Sequence, residues 1–350
     1  MTRRVLVTGG SGFVGSHVVD ELVERGHKVR VLDLLHPLSH RREPDYLNPE
    51  AEYVRGDVQD ADLVHRTLEG VDAVCHQASM VGLGTDFGDV IDYVRHNCLG
   101  TATLLRELAS RKPGGPLVLA SSMVVYGEGR YRCEVDGVVN PAPRSRASLE
   151  AGRFEPPCPR CGRALAPEAV PEDAPLDPRN VYAATKVHQE HLASAFARET
   201  GVPVKILRYH NVYGPRMPRD SPYAGVASIF RSALEAGESP LVYEDGSQLR
   251  DFVHVRDVAR ANARALEAEA ATGGAFNVAS GRPTSVGEMA EALADSFGHS
   301  APRPQVTGSY RLGDVRHVFA SASRAEEALG FRAEVAFTTG MREFASAPLR

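Results

Sequence analysis

Residues 3–35 read RRVLVTGGSGFVGSHVVDELVERGHKVRVLDLL, and the order of patterns in them decides the fold. The run VLVTG is short, apolar and β-branched, as expected of a strand buried on both faces. Gly9, Gly12 and Gly15 follow at three-residue spacing. An amphipathic helix is expected from about Phe13 to Arg25, with Val14, Val18, Leu22 and Val23 on one face and Gly26 as its stop. KVRVLD is then a second strand. Strand, glycine turn, helix and strand in this order make the opening unit of a dinucleotide-binding sheet.

The layout has a chemical reason. Unpaired N–H groups and the dipole at a helix N-terminus favour an anion such as a pyrophosphate. Glycines let the backbone come close to it. Asp33 ends the second strand, where a carboxylate binds a ribose diol and repels a 2′-phosphate. That favours NAD over NADP, with Arg41 and Arg42 nearby as the opposing charges. Beyond this unit, EYVRGDVQD is a third strand and places Asp57 where it can reach an adenine. AVCHQAS, PLVLASSMVVYG and VKILRYHNVYGPR read as fourth, fifth and sixth strands. Helix-period segments such as YVRHNCLGTATLLRELASR lie between them. Alternation of strand and helix predicts an α/β, doubly wound parallel sheet. Ligands then bind beyond the carboxyl ends of the strands, where Ser122, Asn211 and the glycine turn all lie.

The chain has 350 residues, 43% hydrophobic and 24% charged, which suits one large or two modest globular domains. Its net charge of −5, without a basic patch, argues against a nucleic-acid partner. No apolar run has the length of a signal peptide or a membrane span, so a cytoplasmic protein with no membrane partner is expected. Five cysteines in 350 residues are no disulfide framework. Cys75 and Cys98 fall in a strand and a helix and read as small core residues.

NVYAATKVHQEHL begins a helix on which Tyr182 and Lys186 are four residues apart, hence on one side. A tyrosine near its ordinary pKa of about 10 is a poor base at neutral pH. A lysine ammonium and an oxidised nicotinamide, both positive, would stabilise the phenolate. Ser122 would hold the reacting hydroxyl and pass its proton to Tyr182, while a hydride leaves the same carbon for the nicotinamide.

With these residues in place, the chain resembles the extended short-chain dehydrogenase/reductase family, specifically its NAD-dependent nucleotide-sugar epimerases and dehydratases. The resemblance runs from Arg4 to about Ala322, apart from one insertion. It is carried by TGGSGFVG, SSMVVYG, YAATK, RYHNVYGPR, EDGSQLRDFVHVRDVA and GDVRHVFA. It implies a Rossmann-type NAD-binding domain over 1–214 and a smaller sugar-nucleotide domain over 215–350, with a strand and helix near 250–270 returning to the first. It also implies a homodimer, formed through the helix bearing Tyr182 and the helix near NCLGTATLLREL. By resemblance, Ser122, Tyr182 and Lys186 are catalytic. NAD would be held by Gly9, Gly12, Phe13, Val14, Gly15, Asp33, Asp57, Val58, Gln77, Ala78, Asn97 and Val212, together with Tyr182 and Lys186. The substrate would meet Ser122 and Asn211, with Arg250 and Arg311 at its pyrophosphate and Asp314 at its ribose.

One departure narrows the reaction. The 4,6-dehydratases of this family carry Asp and Glu after the hydroxyl residue, and the related decarboxylases place Glu there. This chain has Met123 and Val124, and neither can transfer a proton. Oxidation at C4 followed by return of the hydride remains, which is epimerisation. The expected substrate is a nucleotide-activated hexose, foremost a dTDP-6-deoxysugar. A UDP-sugar or UDP-uronate is the alternative, with Arg216 and Arg219 as cations for a uronate. A 4-ketoreductase and a non-catalytic Rossmann ligand sensor are more distant readings.

The insertion spans 128–170 and holds RYRCEVDG and PPCPRCGR. Cys158 and Cys161 have zinc-knuckle spacing, and Cys133 with Asp136 offers a partner knuckle. Four readings stand: a structural zinc staple, metal-free cysteines, a redox pair, or a catalytic zinc, which the tyrosine mechanism does not need. A thioredoxin-like pair opens a helix in a βαβ unit, whereas prolines flank this one. A subgroup resembling the dTDP-L-rhamnose 4-epimerases shares such an insert, and also a segment like SPYAGVASIFRSALEAGESPLVYEDG. There the first knuckle usually has His where this chain has Asp136. Poor in large apolar residues, the insert is expected to lack a core of its own and to be ordered by metal as a flap beside the site.

Overall fold

The computed structural model describes residues 2–37, 39–40, 42–82, 87–111, 114–219, 225–269 and 272–350. Arg41 and residues 221–224 of the SPYAG stretch lie outside the described residues. The chain opens with β1 (Arg4–Thr8), α1 (Phe13–Glu24), β2 (Lys28–Asp33), β3 (Glu52–Arg55), α2 (Ala61–Thr67) and β4 (Ala73–His76). Next, α3 (Val90–Tyr93) continues through a π-turn over Val94–Leu99 into α4 (Gly100–Arg111), and β5 (Leu117–Ser122) follows. The insertion supplies β6 (Arg130–Cys133), β7 (Gly137–Val139), α5 (Arg146–Glu150) and β8 (Ala166–Glu168). Then come α6 (Val181–Thr200), β9 (Val204–Tyr209), β10 (Asn211–Tyr213), α7 (Val226–Glu235), β11 (Leu241–Val242) and β12 (Leu249–His254). The chain ends with α8 (Val255–Glu267), β13 (Gly274–Val278), β14 (Pro283–Ser285), α9 (Val286–Phe297), β15 (Gln305–Val306), α10 (Ser323–Leu329) and α11 (Phe337–Ser346).

The apolar runs read from the sequence form a seven-stranded sheet in the order β3-β2-β1-β4-β5-β9-β13, with every neighbouring pair parallel. One face buries Val18, Val19 and Leu22 of α1 against Val258 and Ala261 of α8 and Leu329 of α10. The other buries Val64 of α2, Leu104 and Leu108 of α4 and Phe196 of α6. Strand order reverses between β1 and β4, which opens a crevice beyond their carboxyl ends. A second core of Tyr213, Met217, Phe230, Phe252, Leu293, Met341 and Phe344 supports the smaller lobe.

Two sequence expectations need correction. The seventh strand of the main sheet, β13, comes from the region assigned to the second domain, and α8 and α10 pack on the main sheet. Of the segment near 250–270, the helix packs on the main sheet and β12 sends Val253 into the same core, while β12 itself pairs with β10 and β14 in a separate small sheet. The insertion also has a core. It forms a sheet ordered β7-β6-β8 over Tyr131, Cys133, Val139 and Cys158, with Leu165 against them. Two of those residues are cysteines, which act here as small apolar side chains.

Candidate active site

The glycine turn is built by contact. Gly9 has φ +69°, and a Cβ there would lie 2.7 Å from the Ala78 nitrogen at the end of β4. A Cβ at Gly15 would lie 2.0 Å from the Gly9 carbonyl oxygen, so helix and turn touch through backbone alone. Gly12 begins α1 and no side chain caps it, leaving first-turn N–H groups for an anion. Asp33 stands at the end of β2, where its carboxylate accepts from the Ser11 amide at 2.9 Å and the Leu35 amide at 2.8 Å. These features fit a dinucleotide.

The other residues expected at the cofactor fall into two groups. Ala78 abuts Gly9, and Asp57 sits past β3, held by the amide and side chain of Gln59. Val58 is buried in the core, Val14 and Val212 pack on the main core, and Phe13 packs towards the second lobe. The side chains of Gln77 and Asn97 turn inward. Gln77 bonds Asn262 and Tyr209. Asn97 is fully buried, bonded to Ser79, Met80 and Thr185. It links the loop after β4 to α6. Arg42, the cation beside Asp33 in sequence, is exposed and pairs with Asp45 at 3.3 Å.

The catalytic candidates converge. Asn180 caps α6 by accepting from the Ala183 amide at 2.9 Å, which sets Tyr182 and Lys186 in the first two turns. Ser122 ends β5, two strands from β1; its hydroxyl accepts from the Val124 amide at 3.4 Å and stands close enough to the Tyr182 phenol to pull against the effect of burial there. Lys186 Nζ lies 5.8 Å from the centre of the Tyr182 ring and donates to the Ala120 carbonyl at 2.9 Å. Burial dominates both titrations: it pushes the phenol up to about 12, against the pull of Ser122, and the lysine down to about 7, against the pull of Glu190 and then Cys98. An added positive charge is what a buried phenol of this kind needs in order to ionise. Met123 and Val124 follow Ser122 in a tight helical turn, and neither has an ionisable atom to offer.

On the substrate side, Asn211 opens β10, and its buried side-chain oxygen has no partner among the described residues. Asp314 is half-buried, its carboxyl raised by burial, and Arg311 is exposed with its guanidinium 5.4 Å from the Tyr243 ring. The Arg250 guanidinium donates to the carbonyls of Leu249, Val315 and Arg316, which joins it to the segment after Asp314. Arg216 pairs with Asp20 and Arg219 with Glu235, which draws both away from a uronate carboxylate.

In the insertion, Cys133, Asp136, Cys158 and Cys161 bring four ligand atoms within 4.8 Å of one another. The Cys133 and Cys161 sulfurs are 3.5 Å apart, and the Asp136 oxygen is 3.2 Å from Cys158 and 3.6 Å from Cys133. A zinc tetrahedron with bonds of about 2.0–2.3 Å has edges of about 3.5–3.8 Å, so the four residues fit one ion. All three cysteines are free thiols.

Sequence reasoning missed a polar cluster beside Asp314: Glu128, Arg144, Glu244, Arg316 and His317 are buried, and Glu155 and Asp245 stand at its exposed edge. Arg316 is 1% exposed and pairs with Glu155, Glu244 and Asp245. Its partners lie as far as 161 residues away, and local spacing carries no signal for such a contact.

The model of the NAD dependent epimerase/dehydratase family matches residues 5–146 and 161–279. A dTDP-L-rhamnose 4-epimerase from Burkholderia thailandensis is 35% identical, over 97% of this chain and 93% of that protein. Among solved structures, the UDP-glucose 4-epimerase of Thermotoga maritima with UDP-glucose is 28% identical with a TM-score of 0.80, covering 98% of this chain and 97% of that one. The UDP-glucose 4-epimerase of Thermus thermophilus in complex with NAD is 29% identical with a TM-score of 0.77 and the same coverage.

Proposed function

Because the chain belongs to the NAD-dependent epimerase/dehydratase family, we propose that it is a 4-epimerase of a nucleotide-activated hexose, foremost a dTDP-6-deoxysugar. The observation that carries this reading is Ser122, Tyr182 and Lys186 brought together beside a stretch without an acid or base for elimination. The uncapped start of α1, the glycine turn and Asp33 would hold NAD. Bound NAD supplies the acceptor and donor of the C4 hydride. Ser122 orients the C4 hydroxyl. Tyr182 takes its proton, the Lys186 charge stabilises the phenolate, and Tyr182 returns the proton when the ketone is reduced on its other face. Asn211, Arg311 and Asp314 would hold the rest of the substrate, while Arg250 keeps their segment in place. A UDP-sugar is the second reading, favoured by the likeness to UDP-glucose 4-epimerases.

Two further assignments accompany this reading. The apolar side chains of Phe87, Ile91, Val94 and Leu99 are exposed along α3 and the π-turn, which supports a homodimer through that face. A monomer mass in sedimentation equilibrium at micromolar concentration would remove it. No helix among the described residues is long and apolar enough to cross a membrane.

The second assignment is a structural zinc on Cys133, Asp136, Cys158 and Cys161, supported by the fit of their ligand atoms to a tetrahedron. Strong zinc-finger sites provide roughly 10–16 kcal/mol. Protein prepared without chelator is expected to contain one zinc per chain. Cys158→Ser with Cys161→Ser should lose it, raise KM and leave kcat near wild type. A zinc-free wild type whose residues 128–170 still resist protease would assign the insert's order to its own core and charge pairs.

A further inference from the structure

The insertion and the second lobe meet through a cluster of charges whose centre, Arg144, Glu244 and Arg316, is buried. Arg144 and Glu244 have side chains each 3% exposed and pair at 2.8 Å. The same guanidinium donates to the Phe154 carbonyl at 3.1 Å and the Asp314 carbonyl at 2.8 Å. One side chain thus ties the insertion to itself, to the second lobe and to the backbone of Asp314. Ten residues on in sequence from Arg144, Phe154 leads into Glu155, whose carboxylate reaches Arg316 at 2.7 Å and His317 at 2.9 Å. His317 accepts from the Leu249 amide on Nδ1, so its neutral ring carries the proton on Nε2 and donates it to Glu155. Glu128, at the start of the insertion, accepts from the Arg316 amide, and the Tyr131 hydroxyl donates to Glu128. At Gly129 a Cβ would lie 2.5 Å from the His317 carbonyl oxygen, so the insertion touches this strand through bare backbone.

Apart from the Arg144–Phe154 and Tyr131–Glu128 bonds inside the insertion, these bonds end on residues 314–317, or on Glu244 beside them. That stretch follows Arg311 and contains Asp314, the groups assigned above to the nucleotide. Buried charges that pair with one another fix geometry more strongly than surface pairs do, because moving one leaves another unpaired.

We infer that the insertion is a clamp on the nucleotide-binding segment 311–317, in which Arg144 and Glu155 are positioning residues that set Asp314 and Arg311 for a nucleoside diphosphate. The inference rests on the substrate reading proposed above. The clamp acts on the nucleotide end alone: none of its bonds reaches Ser122, Tyr182 or Lys186. Affinity for the nucleotide and the rate of the chemical step are therefore separable.

Arg144→Met removes three hydrogen bonds but leaves Glu244 paired with Arg316, so the fold should stand. Titration of the holoprotein with dTDP and with UDP is expected to show Kd raised roughly tenfold to a hundredfold, the usual loss for hydrogen bonds from a charged group. KM should rise by the same factor, kcat should stay within about threefold, and bound NAD should be unchanged. Arg144→Lys keeps the charge without the fork and should fall between the two. If Arg144→Met is recovered without NAD, Glu155→Gln decides, since that side chain is 54% exposed and its loss is mild. It should raise Kd with kcat retained. Unchanged Kd in folded Arg144→Met, or in Glu155→Gln where that variant decides, overturns the clamp. So does a fall in kcat with Kd unchanged. A wild type that binds neither dTDP nor UDP overturns the substrate reading itself, and the clamp with it.

Discussion

Tyr182→Phe is expected to lower kcat by roughly 10²–10⁴-fold, the range for loss of a general acid–base group, while bound NAD stays at its wild-type level. The substitution removes one oxygen. The ring keeps its place against Tyr93, whose centre is 6.1 Å away, and Lys186 keeps its bond to the Ala120 carbonyl. The pH dependence gives a second readout. In the buried pair, Lys186 sits at about 7 and Tyr182 at about 12, so the first proton leaves the pair near neutrality. Below that pH both groups hold their protons and no base exists. Above it one proton is gone, and the pair can accept the one from the C4 hydroxyl. Wild-type kcat should therefore fall about tenfold per pH unit on the acid side of about 7, and lower still if the nicotinamide charge adds to the effect. Phenylalanine at 182 should abolish that limb. Turnover near wild type in Tyr182→Phe would mean that another group is the base.

Gly15→Ala is expected to cost the protein its cofactor. The added methyl would stand 2.0 Å from the Gly9 carbonyl oxygen and 2.9 Å from the Gly10 Cα, and all of these are backbone atoms that no rotamer change can move. Either α1 slides outward or the glycine turn opens, and both displace the first-turn N–H groups from the pyrophosphate. Overpacking of this kind costs about 1–3 kcal/mol or more in stability. Purified Gly15→Ala should carry less than about a tenth of the wild-type NAD, on the order of the tenfold loss that about 1.4 kcal/mol produces. Full NAD occupancy with an unchanged melting temperature would show that the turn has room this geometry denies it.

The parts of the site that were legible in the sequence are those fixed by local chain geometry. Gly9, Gly12 and Gly15 announce a turn because their spacing is a backbone requirement within one unit. Tyr182 and Lys186 announce a helix face because four residues make about one turn. Ser122 follows from the end of an apolar run. What stayed hidden depends on distant parts of the chain. Arg316 and Arg144 look like surface charges until Glu244, at 72 and 100 residues' distance, buries beside them. Arg250 was expected at a pyrophosphate, and nothing local announced the carbonyls its guanidinium also holds, 65 and 66 residues away. Asn97 and Gln77 have the right chemistry for a ligand, yet their partners Thr185 and Asn262 turn them inward. The insertion was read as lacking a core because its composition is polar. Tyr131, Val139, Leu165 and two cysteines are enough for a small one once Arg144, Glu155 and Glu128 lock it to the second lobe.

The central claim is that a hydride leaves C4 and returns to it within one holoprotein. The most direct measurement is mass spectrometry and NMR of the product formed in D₂O from a dTDP-6-deoxyhexose, and in parallel from UDP-glucose, with no cofactor added. A hydride held by the cofactor does not exchange with solvent, whereas a proton carried by Tyr182 does. The account predicts an isomer inverted at C4, equal in mass to its substrate and without carbon-bound deuterium. Loss of water or carbon dioxide, a requirement for added NADPH, or deuterium on a sugar carbon would contradict it.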